Sequence, residues 1–164
     1  MKMLLLLRHG KSPQEAASDW ERPLGKRARK KDVPLVAQFV QDEGVAPEWI
    51  ISSNAHRARA TAEIFAAQFP TAPELVLTRD LYLASPQGIA DAVQSLPDSV
   101  CTAVVVGHNA GLEMFAEELA EAELPADLKP GGLCVFQLAI DTWLELRAAA
   151  ATLSTFVNPA DLRS

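Results

Sequence analysis

The chain has 164 residues, 49% of them apolar, which is enough for one domain spanning residues 1–164 around a sizeable core and too apolar for intrinsic disorder. Lys and Arg number 15 against 21 Asp and Glu, a net charge of −6, so the overall field repels nucleic acid and anionic membranes and neither is an expected partner. The apolar opening Met3-Leu4-Leu5-Leu6-Leu7 is cut off by Arg8, short of the ~7–15 apolar residues of a secretion signal, and no run approaches the ~20 of a membrane span. The two cysteines, Cys101 and Cys134, lie in apolar, strand-like stretches and read as reduced structural thiols of a cytoplasmic protein.

Leu4 to Leu7 is the short continuous apolar run of a strand buried on both faces. It opens into a polar stretch from Gly10 to Gly25, where a long functional loop is expected. From Arg27 to Glu43, Val33, Val36, Ala37, Phe39 and Val40 recur at helical spacing, and Gly44 closes the segment. Trp49 to Ile51 reads as a second strand. Ser52, Ser53 and Asn54 then supply N-cap residues for a helix from about Ala55 to Phe69, ended by Pro70. Leu75 to Leu77 is a third strand, Pro86 to Leu96 a helix, and Thr102 to Val106 a fourth strand that runs into Gly107-His108-Asn109 and a helix to about Ala120.

This β-α alternation predicts an α/β fold of three layers, α/β/α, with a mostly parallel central sheet. After Gly131-Gly132, the segments Leu133 to Ile140, Trp143 to Arg147 and Leu153 to Val157 read as strands forming an antiparallel edge.

In open α/β sheets ligands bind beyond the carboxyl ends of the strands. The first strand delivers Arg8-His9-Gly10 there, the second reaches Arg57 in the first turn of its helix, and the fourth delivers Gly107-His108-Asn109. Two guanidiniums and two imidazoles beside helix N-termini suit a tetrahedral anion, phosphate above all, because planar guanidinium forks match its oxygens. A neutral imidazole among them can attack phosphorus while the other groups hold the equatorial oxygens. Taken singly, each residue has a plainer reading as a surface cation or a structural histidine; their joint placement is what points to chemistry.

The stretch Arg8-His9-Gly10-Lys11-Ser12 resembles the signature of the histidine phosphatase superfamily, the phosphoglycerate mutase-like fold. Within it, the chain is most similar to the small SixA-type protein phosphohistidine phosphatases, through Ser18-Asp19-Trp20-Glu21-Arg22-Pro23-Leu24, Ser52 to Glu63, Leu81 to Pro86 and Val106 to Glu113. The resemblance implies that His9 is the nucleophile and becomes transiently phosphorylated, and that Arg8, Arg57 and His108 complete the phosphate pocket. It offers Arg22 as a further phosphate contact from the loop, against the alternative of a salt-bridging arginine. Asn54, Ala60 and Ala110 depart from the residues common in the family, proline, glutamine and proline. None removes a group the chemistry needs, and Asn54 still serves as a helix cap that aims Arg57.

Larger relatives use a carboxylate as general acid, and none is identifiable here: the stretch around Tyr82 has no Glu. That favours a P–N bond, whose imidazole leaves readily once protonated, over an ester, whose alkoxide gains ~10²–10⁴-fold from a positioned acid. The expected function is therefore a phosphatase needing no metal or other cofactor. Its expected partner is a phosphohistidine-bearing protein, of which a histidine phosphotransfer domain is one kind. A small phosphorylated molecule as substrate, or an idle phosphate-binding module, are the alternatives.

Other motifs carry less. Gly10-Lys11-Ser12 lacks the glycine that a nucleotide-binding P-loop has five residues before its Gly-Lys pair, where Leu5 stands. Lys26, Arg27, Arg29, Lys30 and Lys31 read as a solvated helix start, or as a face for an acidic protein substrate. His9, His56 and His108 lack metal-ligand spacing, His56 reads as a partly exposed filler, and Trp20, Trp49 and Trp143 are too scattered to predict a stacking platform.

Overall fold

A computed structural model describes residues 1–163. Six strands, β1 (Lys2–Arg8), β2 (Trp49–Ser53), β3 (Glu74–Thr78), β4 (Thr102–Gly107), β5 (Leu133–Leu138) and β6 (Ala151–Val157), form one sheet in the order β3-β2-β4-β1-β5-β6. The four strands from β3 to β1 are parallel, and β5 and β6 join antiparallel.

β1 shows why the centre of such a sheet reads as unbroken apolar sequence. Successive side chains point to opposite faces, so Leu4 and Leu6 enter one core while Leu5 and Leu7 enter the other, all four with no solvent exposure. β4 repeats the device with Ala103 and Val105 on one face, Val104 and Val106 on the other. One face is covered by α3 (Pro86–Gln94) and α4 (Gly111–Ala120), through Ile89, Val93, Phe115 and Leu119. The other is covered by α1 (Val33–Asp42) and α2 (His56–Ala67), through Val36, Val40, Ala62 and Phe65, with the short α5 (Pro159–Leu162) packed on α1. The fold is the three-layer α/β/α arrangement expected from the alternation. No helix among the described residues is long and apolar enough to cross a membrane.

Three local expectations are corrected. Trp143 to Arg147 is not a strand: Trp143–Glu145 is a 3₁₀ turn, because the Trp143 ring is drawn fully into the core and its Nε1 donates to the Val100 carbonyl at 3.0 Å. The edge is thus two strands, with β6 beginning at Ala151.

Asn54 is not a helix cap. Its backbone amide donates to the Thr78 carbonyl at 3.1 Å and prolongs the sheet, which moves the cap position to Ala55, a residue with no capping side chain. The Asn54 Oδ1 instead accepts from Trp20 Nε1 at 3.2 Å. Cys101 is exposed rather than enclosed, whereas Cys134 is buried with its thiol pushed up to about 12 by desolvation, so it stays protonated and inert.

The basic cluster behaves as a solvated helix start. Lys26, Arg27, Arg29, Lys30 and Lys31 are all exposed around a π-helical turn, Ala28–Asp32, that leads into α1.

Candidate active site

The parallel pairing of β1 with β4 sets Arg8 opposite Gly107, so the residues that follow, His9 and His108, emerge side by side at the carboxyl end of the sheet. The His9 amide donates to the Gly107 carbonyl at 3.1 Å, and the two imidazole centroids lie 5.1 Å apart. From β2, the adjoining strand, the chain turns at Ala55 into α2, whose first turn carries Arg57 into the same space. All three side chains are buried, at 8%, 3% and 3% exposure for His9, His108 and Arg57. A Cβ on Gly10 would come within 2.8 Å of the Ala28 Cβ and 2.9 Å of Leu24, so only glycine lets the loop after His9 pass this closely under the turn that leads into α1.

Each histidine's tautomer follows from its neighbours. His9 Nδ1 lies 2.7 Å from the Gly10 carbonyl oxygen, which can only accept, so Nδ1 carries the proton. Nε2 is left with its lone pair and accepts from Arg57 Nε at 3.3 Å. In His108, Nδ1 faces Arg57 Nη2 at 3.2 Å and must accept, while Nε2–H donates to Ser53 Oγ at 2.8 Å. Both rings are therefore neutral. Burial first, and the guanidiniums around them second, hold His9 down at about 4, with Gly10 opposing; burial, then His9 and Arg57, hold His108 at about 3.

Those values carry a stability prediction. An unfolded imidazole titrates near 6.5, so between that pH and the folded values the unfolded chain binds protons that the native site refuses, and stability falls as pH falls. Each group contributes up to about 1.4 kcal/mol per pH unit in that window. Chemical denaturation from pH 7 to pH 4.5 should show this slope, and His9→Gln with His108→Gln should flatten it; an unchanged slope in the double variant would refute the assignment.

Arg57 is tied on every side. Besides the two imidazoles, Nη1 donates to the Asp19 carbonyl at 2.7 Å and Nη2 to Asp19 Oδ2 at 3.1 Å. Asp19, on the loop after β1, also accepts from Arg22 Nη1 at 3.0 Å and from the Tyr82 hydroxyl at 2.6 Å. The Tyr82 hydrogen bond, helped by Arg22 and Arg57, holds the Asp19 carboxyl well below the usual carboxylate range, while the same bond raises Tyr82.

Arg22 is anchored further by Nε on the Pro13 carbonyl at 3.0 Å and Nη2 on that of Ser12 at 3.1 Å. Its guanidinium is thus the salt-bridging loop group of the alternative reading, held in contact with the same carboxylate as Arg57. Arg8 leaves the end of β1 half-buried, donates from Nη1 to the Leu128 carbonyl at 2.8 Å, and has a buried Nε with no partner among the described residues. Desolvation lowers it, with Glu113 opposing.

The geometry brings His9, Arg57 and His108 into direct contact, with Arg22 joined through Asp19. Sequence reasoning gave no part in the site to Asp19, Tyr82, Ser53 or Thr61, although all four lie in the stretches that carried the resemblance. Thr61 Oγ accepts from the Gly10 amide at 3.0 Å and donates to the Arg57 carbonyl at 2.8 Å, which locks the loop to the helix that carries Arg57. Its signal was its place one turn after Arg57, on the buried face of α2. Chemically, the ensemble offers one unprotonated imidazole nitrogen beside a fixed guanidinium, a second neutral imidazole and, at the end of β1, a half-buried arginine, a site for transferring an anionic group to nitrogen.

No protein-family profile matches the chain. It is 31% identical over 156 residues to an uncharacterized chloroplastic protein of Arabidopsis thaliana, covering 88% of this chain and 70% of that one. Among solved structures, it superposes on the protein histidine phosphatase SixA complexed with tungstate with a TM-score of 0.82 at 20% identity, over 98% of this chain and 99% of that one. The SixA phosphohistidine phosphatase candidate of Agrobacterium tumefaciens gives 0.81 at 24% identity, over 96% and 98%. A phosphoserine phosphatase of Entamoeba histolytica, in complex with 3-phosphoglyceric acid, gives 0.68 at 19%, over 99% and 100%. The chain belongs to the family of its plant relative and shares its fold with the SixA structures.

Proposed function

We propose that the protein is a phosphatase that takes a phosphoryl group onto His9 and releases it to water, with a phosphohistidine on a protein as its substrate. The observation that carries this reading is the state of His9: Nδ1–H fixed on the Gly10 carbonyl and Nε2 unprotonated beside Arg57.

In the first step Nε2 attacks phosphorus, the new P–N bond forms, and the bond to the substrate's imidazole nitrogen breaks; that ring enters protonated from solvent on its other nitrogen and leaves as neutral imidazole. The His9 ring becomes cationic, and its Nδ1–H on the Gly10 carbonyl stabilises that charge. Arg57 and Arg8 hold the oxygens of the transferring group, Arg57 exchanging its bonds to His9 Nε2, His108 Nδ1 and Asp19 for bonds to phosphoryl oxygen; His108 joins them by taking a proton from solvent at the freed Nδ1, and Arg22 keeps Asp19 and its loop in place. Water then attacks phosphorus, the His9–P bond breaks, and phosphate leaves with the imidazole neutral again.

Asp19 supports the choice of a P–N bond. It is the carboxylate in contact with the site, and the hydrogen bonds from Tyr82, Arg22 and Arg57 keep it ionised at neutral pH, so it has no proton to give an alkoxide. A small phosphate ester as substrate is the second reading, favoured by the fold shared with the Entamoeba phosphoserine phosphatase.

Phosphate release, without added metal, from a phosphohistidine-bearing protein and from a panel of phosphomonoesters decides between them. The expected result is a kcat/KM at least ~10²-fold higher for the P–N substrate, the scale of a missing general acid. Preference for an ester would move the assignment to a small-molecule phosphatase. No turnover by the folded protein would leave a phosphate-binding module.

A further inference from the structure

Next to the phosphate site lies an open cavity of about 480 Å³ walled by Trp20, Asn54, Arg79 and Tyr82. Its size is within the ~300–1,000 Å³ of ligand pockets. Tyr82 is the shared wall: its ring stands edge-on to His108 at 5.4 Å between centroids, and its hydroxyl binds Asp19. Tyr82 thus borders both the phosphate site and the cavity.

A second wall is a tryptophan at the surface. Trp20 is 38% exposed, yet fixed in place: its ring packs on His56 at 4.6 Å and its Nε1 is bound to Asn54. The ring so fixed gives the cavity a firm aromatic wall. The third wall adds charge. Arg79 is exposed and has no carboxylate within ion-pair distance among the described residues, whereas Arg22, Arg57 and Arg59 each have one.

We infer that this cavity is the subsite for the polypeptide flanking the phosphorylated residue, taking one apolar side chain between Trp20 and Tyr82 and one carboxylate on Arg79. The inference rests on the phosphohistidine reading and names what that substrate must carry. Aromatic walls and a guanidinium complement an acidic, partly apolar segment, and they repel a basic one. A simple phosphoryl donor such as phosphoramidate, whose leaving group is ammonia, leaves the subsite empty.

The test compares wild type, Arg79→Gln and Trp20→Ala on three substrates: a phosphohistidine peptide with a neighbouring acidic residue, the same peptide with that acid replaced by its amide, and phosphoramidate. Arg79→Gln is expected to raise KM for the acidic peptide about tenfold and to abolish its advantage over the amide peptide, with phosphoramidate kcat/KM unchanged. Trp20→Ala should raise KM for both peptides. Equal KM values in wild type and both variants would overturn the subsite, as would turnover of phosphoramidate with no turnover of peptide.

A second arm does not depend on turnover. Binding of the acidic peptide, carrying a non-hydrolysable phosphohistidine analogue, is measured by fluorescence anisotropy on His9→Ala with and without Arg79→Gln. Arg79-dependent binding together with no phosphatase activity in the wild type would uphold the subsite and refute the catalytic reading. Arg79-independent binding would refute the subsite whatever the turnover.

Discussion

Replacing His9 with alanine is expected to lower phosphate release by on the order of 10⁴-fold or more, the scale at which removal of a covalent nucleophile acts, with the fold retained. The fold should persist because the substitution removes two side-chain bonds, to the Gly10 carbonyl and from Arg57 Nε, and touches neither core: His9 belongs to no apolar cluster. Arg57 keeps its bonds to Asp19 and His108 and so stays aimed. The measurement is single-turnover phosphate release together with acid-quenched detection of phosphoprotein. Wild type should show a transient acid-labile phosphohistidine, His9→Ala none. Near-wild-type turnover by His9→Ala would refute the covalent route.

The second large effect is at Arg57. Its guanidinium donates to His9 Nε2, His108 Nδ1 and both the carbonyl and the carboxylate of Asp19. No other side chain in the site joins both histidines to the loop. Arg57→Ala is expected to cut kcat by about 10³-fold, the upper end of what one preorganised donor contributes, since several donors go at once. Arg57→Lys should recover little, because a point charge cannot reproduce the planar fork that spans two imidazoles.

Arg22→Ala is the calibrating comparison. Its guanidinium shares Asp19 but is otherwise spent on the Pro13 and Ser12 carbonyls, so its loss should act mainly on KM, by about tenfold. Equal losses in kcat for Arg22→Ala and Arg57→Ala would show that the loop, and not the guanidinium at the histidines, limits the chemistry.

The legible part of this site was the part written in local pattern. A strand buried on both faces announces itself, and the residue after it must lie at the sheet's carboxyl end; that placed His9 and His108 without any knowledge of strand order. Arg57 was legible for the same reason, one turn into the helix after β2. Asp19 was not. It sits on a loop with no periodicity, and its role depends on how residues 10 to 25 fold back, through the Lys11 carbonyl accepting from the Gly25 amide and the Pro23 carbonyl from Ser12 Oγ.

Trp143 and Asn54 erred for a related reason. An apolar run near a sheet edge reads as strand until one knows that the Trp143 ring plugs the core, and a polar residue before a helix reads as its cap until one knows that the sheet continues through it. The dispersed tryptophans predicted no platform, and none of tryptophans alone forms. What the tertiary structure made instead was the pairing of Trp20 with Tyr82, 62 positions later in the chain, across one cavity.

The sequence by itself determined the α/β alternation, the doubly buried central strands and the end of the sheet where chemistry would gather, because these follow from side-chain periodicity and the direction of the chain. The tertiary structure alone decided which nitrogen of each histidine carries the proton, that Asp19 bridges Arg22, Arg57 and Tyr82, and that an open cavity lined by Arg79 adjoins them. Those depend on hydrogen-bond partners and desolvation supplied by residues distant in the chain, which only the folded molecule brings within reach.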